Sequence, residues 1–179
     1  PPPPTAASEY ERLASPQNFA FELRFGAYRP DIDSEFAGPG KGPHETYFGT
    51  KRRLMFQAEL DWQLFRGFGS AAIGVRAGYF RESGRAFLEP GAGQPPTTPA
   101  GDTTTLTLVP TAVSLVYRFD VLARHWRIPL VPYGKVGLDY VLWWSRDGDG
   151  EVSTYGGGGT GRGGTTGWHA AAGLAVLLD

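Results

Sequence analysis

The stretch RLMFQAELDWQLFRGFGSAAIGVRAGYF, residues 53–80, alternates apolar and polar side chains in two segments that a short glycine-bearing break separates. In the first segment the even-numbered residues are apolar, namely Leu54, Phe56, Ala58, Leu60, Trp62 and Leu64. Most odd-numbered residues are polar, namely Arg53, Gln57, Glu59, Asp61 and Gln63. A period of two is typical of a β-strand whose two faces meet different surroundings. The short break predicts that the two strands form a hairpin.

The same alternation recurs along the chain. It predicts six strands, at residues 18–29, 53–65, 70–81, 105–119, 130–144 and 167–178. Long connections at 30–50, 82–104 and 145–166 alternate with shorter ones at 66–69 and 120–129. Outer-membrane barrels have short periplasmic turns and long external loops, and strands of ~9–11 residues suffice to cross the hydrocarbon. The pattern therefore predicts an all-β fold, an antiparallel up-and-down transmembrane β-barrel with a porin-like architecture.

The polar faces of these strands predict an enclosed interior. They combine glycines, which weaken an exposed strand, with charges of both signs, and this mixture suits the narrow lumen of a small barrel. The charged residues assigned to this lumen network are Glu22, Arg24, Glu59, Asp61, Arg76, Lys135 and Asp139. Four acids against three bases are close to balance, which favours a closed, salt-bridged interior over a charge-selective pore. The apolar faces are then expected to contact outer-membrane lipid.

Aromatic residues are expected near both ends of the strands, as in the interfacial girdles of membrane barrels. The residues assigned to these girdles are Trp62, Tyr79, Trp126, Trp144 and Trp168. The alternative is that aromatic residues simply favour strand ends.

Composition excludes several classes of protein. The 179 residues include 17 basic and 18 acidic side chains, so a nucleic-acid partner is not expected. Cysteine is absent, which excludes disulfide scaffolds and thiolate metal sites. No apolar run approaches the ~18 residues of a membrane helix. Residues 1–17, which open with four prolines, predict a flexible periplasmic amino-terminal segment, and residues 18–179 the barrel.

Five segments carry a family resemblance: SPQNFAFELRFGAYRPDID (15–33), YFG (47–49), YRFD (117–120), IPLVPYGKVGLDY (128–140) and GWHAAAGLAVLLD (167–179). They resemble an uncharacterised myxobacterial-type family of outer-membrane β-barrel proteins, similar to small barrels of the OmpA, OmpW and opacity-protein kind. The resemblance implies residence in the cell outer membrane of a Gram-negative bacterium, with no established activity and no catalytic motif. Members of that family continue beyond the position of Asp179, so a carboxyl-terminal truncation is expected.

Residues able to support catalysis or metal binding are few. His44, His125 and His169 do not have the sequence spacing of metal ligands, and they are expected at the surface or the rim. Asp147, Asp149 and Glu151 are weak candidates for a divalent cation, because they lack the ligand order of an EF-hand. No cofactor is expected.

Three functional classes follow. The first is a non-enzymatic outer-membrane barrel that serves as a structural anchor or interaction surface, with a periplasmic or surface protein as partner. The second is an outer-membrane enzyme with catalytic residues at the rim, which needs a His close to an acid or a Ser, and the sequence pattern indicates no such set. The third is a soluble lipocalin-like ligand-binding barrel with its apolar face inward.

Two finer predictions concern the sheet. The apolar residues have even numbers before Pro110 (Leu106, Leu108) and odd numbers after it (Val113, Leu115). This change predicts a β-bulge within about two residues of that proline. Six strands are also fewer than the eight that known single-chain barrels need, so the sheet is expected to be open, with eight strands in the uncut protein.

Overall fold

The computed structural model describes residues 18–36, 42–87, 99–126, 128–155 and 158–176. The helices and strands in these residues are β1 (Phe19–Tyr28), α1 (Pro43–Phe48), β2 (Arg53–Gly67), β3 (Gly69–Phe87), β4 (Pro99–Arg118), α2 (Val121–Trp126), β5 (Leu130–Arg146), β6 (Thr154–Tyr155), β7 (Gly159–Thr160) and β8 (Arg162–Val176). A 3-10 turn at Asp33–Glu35 precedes α1. None of the helices described is long and apolar enough to cross a membrane. The expected segment at residues 1–17 lies outside the described part of the chain.

One antiparallel sheet contains six of the strands, in the order β1-β2-β3-β4-β5-β8. Each strand pairs with its neighbour along the chain, except that the small β6–β7 hairpin interrupts the connection between β5 and β8. The all-β, antiparallel fold with six main strands is confirmed. Within the described residues β1 and β8 are edges and do not pair with each other, so the predicted open sheet is also confirmed.

The sheet is strongly curved. Lys135 on β5 and Glu22 on β1 have β2, β3 and β4 between them, which corresponds to about 19 Å across a flat sheet at ~4.8 Å per strand. The Lys135 Nζ atom nevertheless lies 3.2 Å from Glu22 Oε2. A lysine side chain is far too short to span a flat sheet, so the strands curl until their polar faces enclose a concave side.

The two faces of the sheet differ sharply in exposure. Apolar side chains on the convex face are exposed to the exterior, with Phe21 at 67%, Leu138 at 73% and Trp168 at 77% of their full accessible area. Charged side chains on the concave face are covered, with Glu59 at 2% and Lys135 at 4%. The period-two pattern thus separates an outward apolar face from an inward polar one.

Several predicted boundaries are wrong. The connection predicted at 82–104 contains strand at both ends, because β3 continues to Phe87 and β4 begins at Pro99. Helix α1 lies inside the connection predicted at 30–50, and α2 inside the turn predicted at 120–129. Strand β8 begins at Arg162 rather than at residue 167, since its glycines and threonines pair with β5 as far as Trp144.

The predicted bulge at Pro110 is wrong. Strand β4 keeps one register against β3 on both sides of the proline, and one register against β5 through it. Leu106 and Leu108 therefore share the concave face with Pro110, where they form a small apolar core with Phe80. Partly buried neighbours pack against this core, namely Ile32, Phe48, Met55, Val141 and Trp143. The change in numbering of the apolar residues therefore reflects the concave face itself, whose side chains are polar at mid-strand and apolar at the loop end of the sheet.

Candidate functional site

Four charged side chains form a cluster on the concave face, which we call the Glu59 cluster: Glu22, Arg24, Glu59 and Lys135. Arg24 Nη2 lies 2.6 Å from Glu22 Oε2 and 2.7 Å from Glu59 Oε2. Lys135 Nζ lies 3.1 Å from Glu59 Oε2. The Glu59 side chain is 1% exposed and the Lys135 side chain 2%, so the two charges neutralise each other away from water. The cluster joins β1, β2 and β5 across the interior.

A second ion pair joins Asp61 on β2 to Arg118 on β4, with Arg118 donating to the carboxylate. Gly74, on the strand between them, makes this crossing possible, because a Cβ there would lie 2.5 Å from Asp61 Oδ1 and 2.7 Å from Glu59 Oε1. The carboxylates of β2 therefore lie flat over β3 at its glycine.

A third group extends from β3 to β8 and is called here the Ser114 chain: Arg76, Asp139, His169 and Ser114. Arg76 Nη2 donates to Asp139 Oδ1 at 2.6 Å. The other oxygen, Asp139 Oδ2, lies 2.9 Å from His169 Nδ1, and His169 Nε2 lies 3.2 Å from Ser114 Oγ. The imidazole is thus held between a carboxylate and a hydroxyl.

Strand register explains how these residues meet. Ser114 is opposite Gly137 on β5, and Gly137 is opposite His169 on β8, so the three residues share one row across the sheet. The glycine lets the imidazole lie over β5 and reach Ser114. One row further towards the loops, Arg76, Ala112 and Asp139 are aligned in the same way, and the small Ala112 lies beneath the ion pair.

The structure places all seven predicted lumen residues on the concave side and links each to at least one other charged group. Arg118, Ser114 and His169 are absent from the predicted set. Arg118 matches the inward parity of β4, whereas the Ser114 chain depends on the register of three adjacent strands, which the alternation of apolar and polar residues does not predict. The sequence instead predicts His169 at the surface or the rim, because the pattern starts β8 at residue 167, five residues too late.

At the loop end of the sheet, α1 packs against β3. His44 Nε2 lies 2.5 Å from Glu82 Oε1, and each of these side chains is 1% exposed. Asp33 accepts hydrogen bonds from the backbone N–H groups of His44 and Glu45 at 2.7 and 2.9 Å, which satisfies the first turn of the helix. The surface position predicted for His44 is wrong, because the helix folds its first turn onto the sheet. The side chain of His125 lies outside the described part of the chain.

In the acidic turn between β5 and β6, the carboxylates of Asp147 and Asp149 accept hydrogen bonds from groups of the same turn. Asp149 Oδ1 accepts from the Glu151 N–H at 3.1 Å, and Asp147 Oδ1 accepts from Ser153 Oγ at 2.6 Å. Across the residues that the structure describes, no group of three or more His, Asp or Glu side chains is arranged to hold a metal ion.

The predicted girdle residues lie at different positions between the two ends of the sheet. Trp126 in α2 is 69% exposed near one end of the sheet, and Tyr79 is 47% exposed on the convex face towards the other. Trp62 lies on the convex face opposite Ile73, and Trp144 pairs with Arg162 at the start of β8. Trp168 is opposite Leu138 at mid-strand, so its predicted place at a strand end is wrong. The early start of β8 moves it there.

Comparisons of the chain with protein-family models, with curated proteins and with solved structures found no match.

Proposed function

We propose that this chain forms most of an outer-membrane β-barrel that serves as a structural anchor and interaction surface in a Gram-negative envelope. The observation that carries the proposal is that the apolar face of the sheet is exposed and the polar face is buried, the reverse of the arrangement in a soluble protein. Large apolar side chains cover the outside, from Phe21 on β1, 67% exposed, to Leu174 on β8, 58% exposed, while Glu59, Asp61 and Lys135 are buried inside.

The energetics of the convex face support a lipid environment. A monomeric soluble protein rarely exposes a continuous apolar patch above ~300–600 Å². Here the apolar side chains follow one another on every main strand, for example Leu60, Val75, Val113, Leu138 and Trp168 at one height of the sheet. In a bilayer the same surface is solvated by acyl chains, and no apolar area is left in water.

A soluble lipocalin-like barrel is the less favoured reading. Such a barrel encloses an apolar ligand cavity and presents its polar face to water. In this chain the enclosed side holds the Glu59 cluster, the Asp61–Arg118 pair and the Ser114 chain at mid-height. Its apolar residues lie in the small core around Phe80 at one end and at Ala72, Val116 and Val131 towards the other. At mid-height an apolar ligand on that side would contact these charged groups.

The charged groups across the interior favour a closed lumen. The carboxylates of Glu22, Glu59, Asp61 and Asp139 face the cations of Arg24, Arg76, Arg118 and Lys135. Helix α1 adds its contact with Glu82 at the loop end. A conducting pore would require these pairs to separate, so we propose that the barrel does not conduct ions.

One end of the sheet is suited to contact a partner. Strands β3 and β4 contain 19 and 20 residues, about twice the ~9–11 that a tilted strand needs to cross the hydrocarbon. Their hairpin would project well beyond the bilayer, beside α1 and the β6–β7 hairpin. We place the contact with a surface protein on this projecting end.

Closure requires partners for the edges of β1 and β8. Each unpaired backbone group in lipid costs several kcal/mol, and eight strands are the smallest number in known single-chain barrels. Two further strands between these edges would complete the barrel, and we propose that a hairpin of the same protein supplies them.

The test is expression of the full-length gene product in a Gram-negative host, followed by separation of inner and outer membranes on a density gradient. We expect the protein in the outer-membrane fraction, extracted by detergent and not by salt or alkali. The purified protein should insert into phospholipid vesicles and give no single-channel conductance in planar bilayers. A monomer that is soluble without detergent would overturn the proposal.

A further inference from the structure

Ser114, His169 and Asp139 are connected by hydrogen bonds in the order that activates a serine hydroxyl. His169 Nε2 is 3.2 Å from Ser114 Oγ, and His169 Nδ1 is 2.9 Å from Asp139 Oδ2. We propose that Ser114 is a nucleophile, with His169 as its general base, and that this site cleaves small uncharged carboxylic esters. The activity goes beyond the anchoring role and does not depend on membrane insertion.

The arrangement sets the protonation of the imidazole. A carboxylate only accepts hydrogen bonds, so Asp139 receives the Nδ1–H and leaves Nε2 as the acceptor that faces Ser114. A nucleophile, a base and a third group that orients the base are the general signature of an activated serine. All three residues lie on paired strands, which hold them more firmly than loops would.

Arg76 contributes twice to this site. Its Nη2 donates a hydrogen bond to Asp139 at 2.6 Å and so positions the carboxylate that in turn orients His169. Its Nε is buried and has no hydrogen-bond partner among the residues described, which leaves one N–H donor unused. Arg76 is a diagonal neighbour of Ser114 across β3 and β4, a separation that a long side chain reaches. We assign this N–H to the oxyanion that forms when an ester is attacked.

The reaction balances without a cofactor. Ser114 Oγ bonds to the ester carbonyl carbon while its proton passes to His169 Nε2. The carbon–oxygen bond to the leaving alcohol then breaks, and that alcohol takes the proton from Nε2. Water, activated by the same nitrogen, attacks the acyl-serine, so the products are a carboxylic acid and the free hydroxyl of Ser114.

The surroundings define the class of substrate. Ser114 is 1% exposed, with the Asp61 and Glu59 carboxylates over Gly74 on one side and the imidazole over Gly137 on the other, so only a small acyl group can fit. The Glu59 cluster, the Asp61–Arg118 pair and the Ser114 chain together hold four acids and four cations, and this balance around Ser114 favours an uncharged ester. Space for the acyl group lies on the concave side at Gly167 of β8, where an added Cβ would meet only Asp139 Cβ, at 3.9 Å.

Two probes test the site on the folded full-length protein in detergent: a small alkyl fluorophosphonate, with peptide mass spectrometry to locate the adduct, and p-nitrophenyl acetate. We expect an adduct on Ser114 and none in Ser114→Ala. His169→Gln should lower both rates ~10²-fold or more, the size of a general-base contribution. Ser83→Ala is the matched control, because Ser83 lies on β3 away from His169 and bonds Thr105 instead.

Tryptophan fluorescence and circular dichroism confirm that each variant is folded. A purely structural hydrogen-bond chain would give no Ser114 adduct, and that result overturns the proposal. So does an adduct that forms equally fast in His169→Gln.

Discussion

Gly137 lies directly beneath the imidazole of His169, and a Cβ added at Gly137 would come within 2.6 Å of His169 Cε1. The same Cβ would lie 2.4 Å from the backbone oxygen of Val113, which cannot move without disturbing the ladder between β4 and β5. The absence of a side chain at this one position is therefore what lets β8 reach β4 through His169 and Ser114.

Gly137→Ala should destabilise the fold by about 1–3 kcal/mol, the usual cost of overpacking, and should displace His169 from Ser114. Chemical denaturation in detergent measures the first effect and the fluorophosphonate rate the second. Gly26→Ala is the matched control, because Gly26 also faces the concave side but has nothing within 4 Å of an added Cβ. Equal effects of the two substitutions would contradict the role of Gly137.

Lys135→Met should lower the free energy of unfolding by about 3 kcal/mol. It removes an ammonium that is 2% exposed and leaves the buried Glu59 carboxylate with Arg24 as its remaining partner. Lys51→Met changes an exposed lysine and is expected to have no measurable effect. The double variant Lys135→Met, Glu59→Gln should recover part of the loss, because the unpaired charge is then gone. No recovery would indicate that packing rather than charge is responsible.

Leu60→Arg tests the membrane proposal. Leu60 is the central residue of β2, half exposed on the convex face, where an arginine near the bilayer midplane costs about 2–4 kcal/mol. Folding measured into phospholipid vesicles should show this loss. Phe36→Arg is the control, since Phe36 is 58% exposed but lies outside the strands. A protein folded in vesicles that tolerates Leu60→Arg as well as Phe36→Arg would not have that face in lipid.

Glu82→Ala should loosen α1 from the sheet. It leaves His44 buried without its partner at 2.5 Å, at a cost of about 1–3 kcal/mol, and should increase amide hydrogen exchange in α1 while that of β2 stays unchanged. Glu35→Gln, at an exposed position in the preceding turn, is the control. Unchanged exchange in α1 would show that the His44–Glu82 contact does not hold the helix in place.

Much of the fold could be predicted from the period-two pattern. Alternation assigned the two faces of β1, β2, β3 and β5, and it identified the charges that the curved sheet gathers inside. Connection lengths gave the order of the six main strands. These features follow from local geometry, because successive side chains of any strand point to opposite faces.

The loop end of the sheet could not be predicted from the local sequence pattern. Glycine, proline and threonine in residues 82–104 are typical of a loop, but pairing with a neighbouring strand holds Gly84 and Thr104 in the ladder. The same tertiary pairing extends β8 to Arg162 and carries Trp168 to mid-strand. The apolar character of Leu106 and Leu108 predicts that they face outward, whereas in the structure they lie inside, in the small core around Phe80.

By itself the sequence determined which side chains share a face of each strand, because that depends only on the two-residue repeat of an extended backbone. Only the tertiary structure decided which residues meet across strands. The contacts of Lys135 with Glu22 and of His169 with Ser114 depend on register, on curvature and on a glycine in the strand that lies between His169 and Ser114. None of these is a property of a single strand, because each arises when several strands pair and curl together.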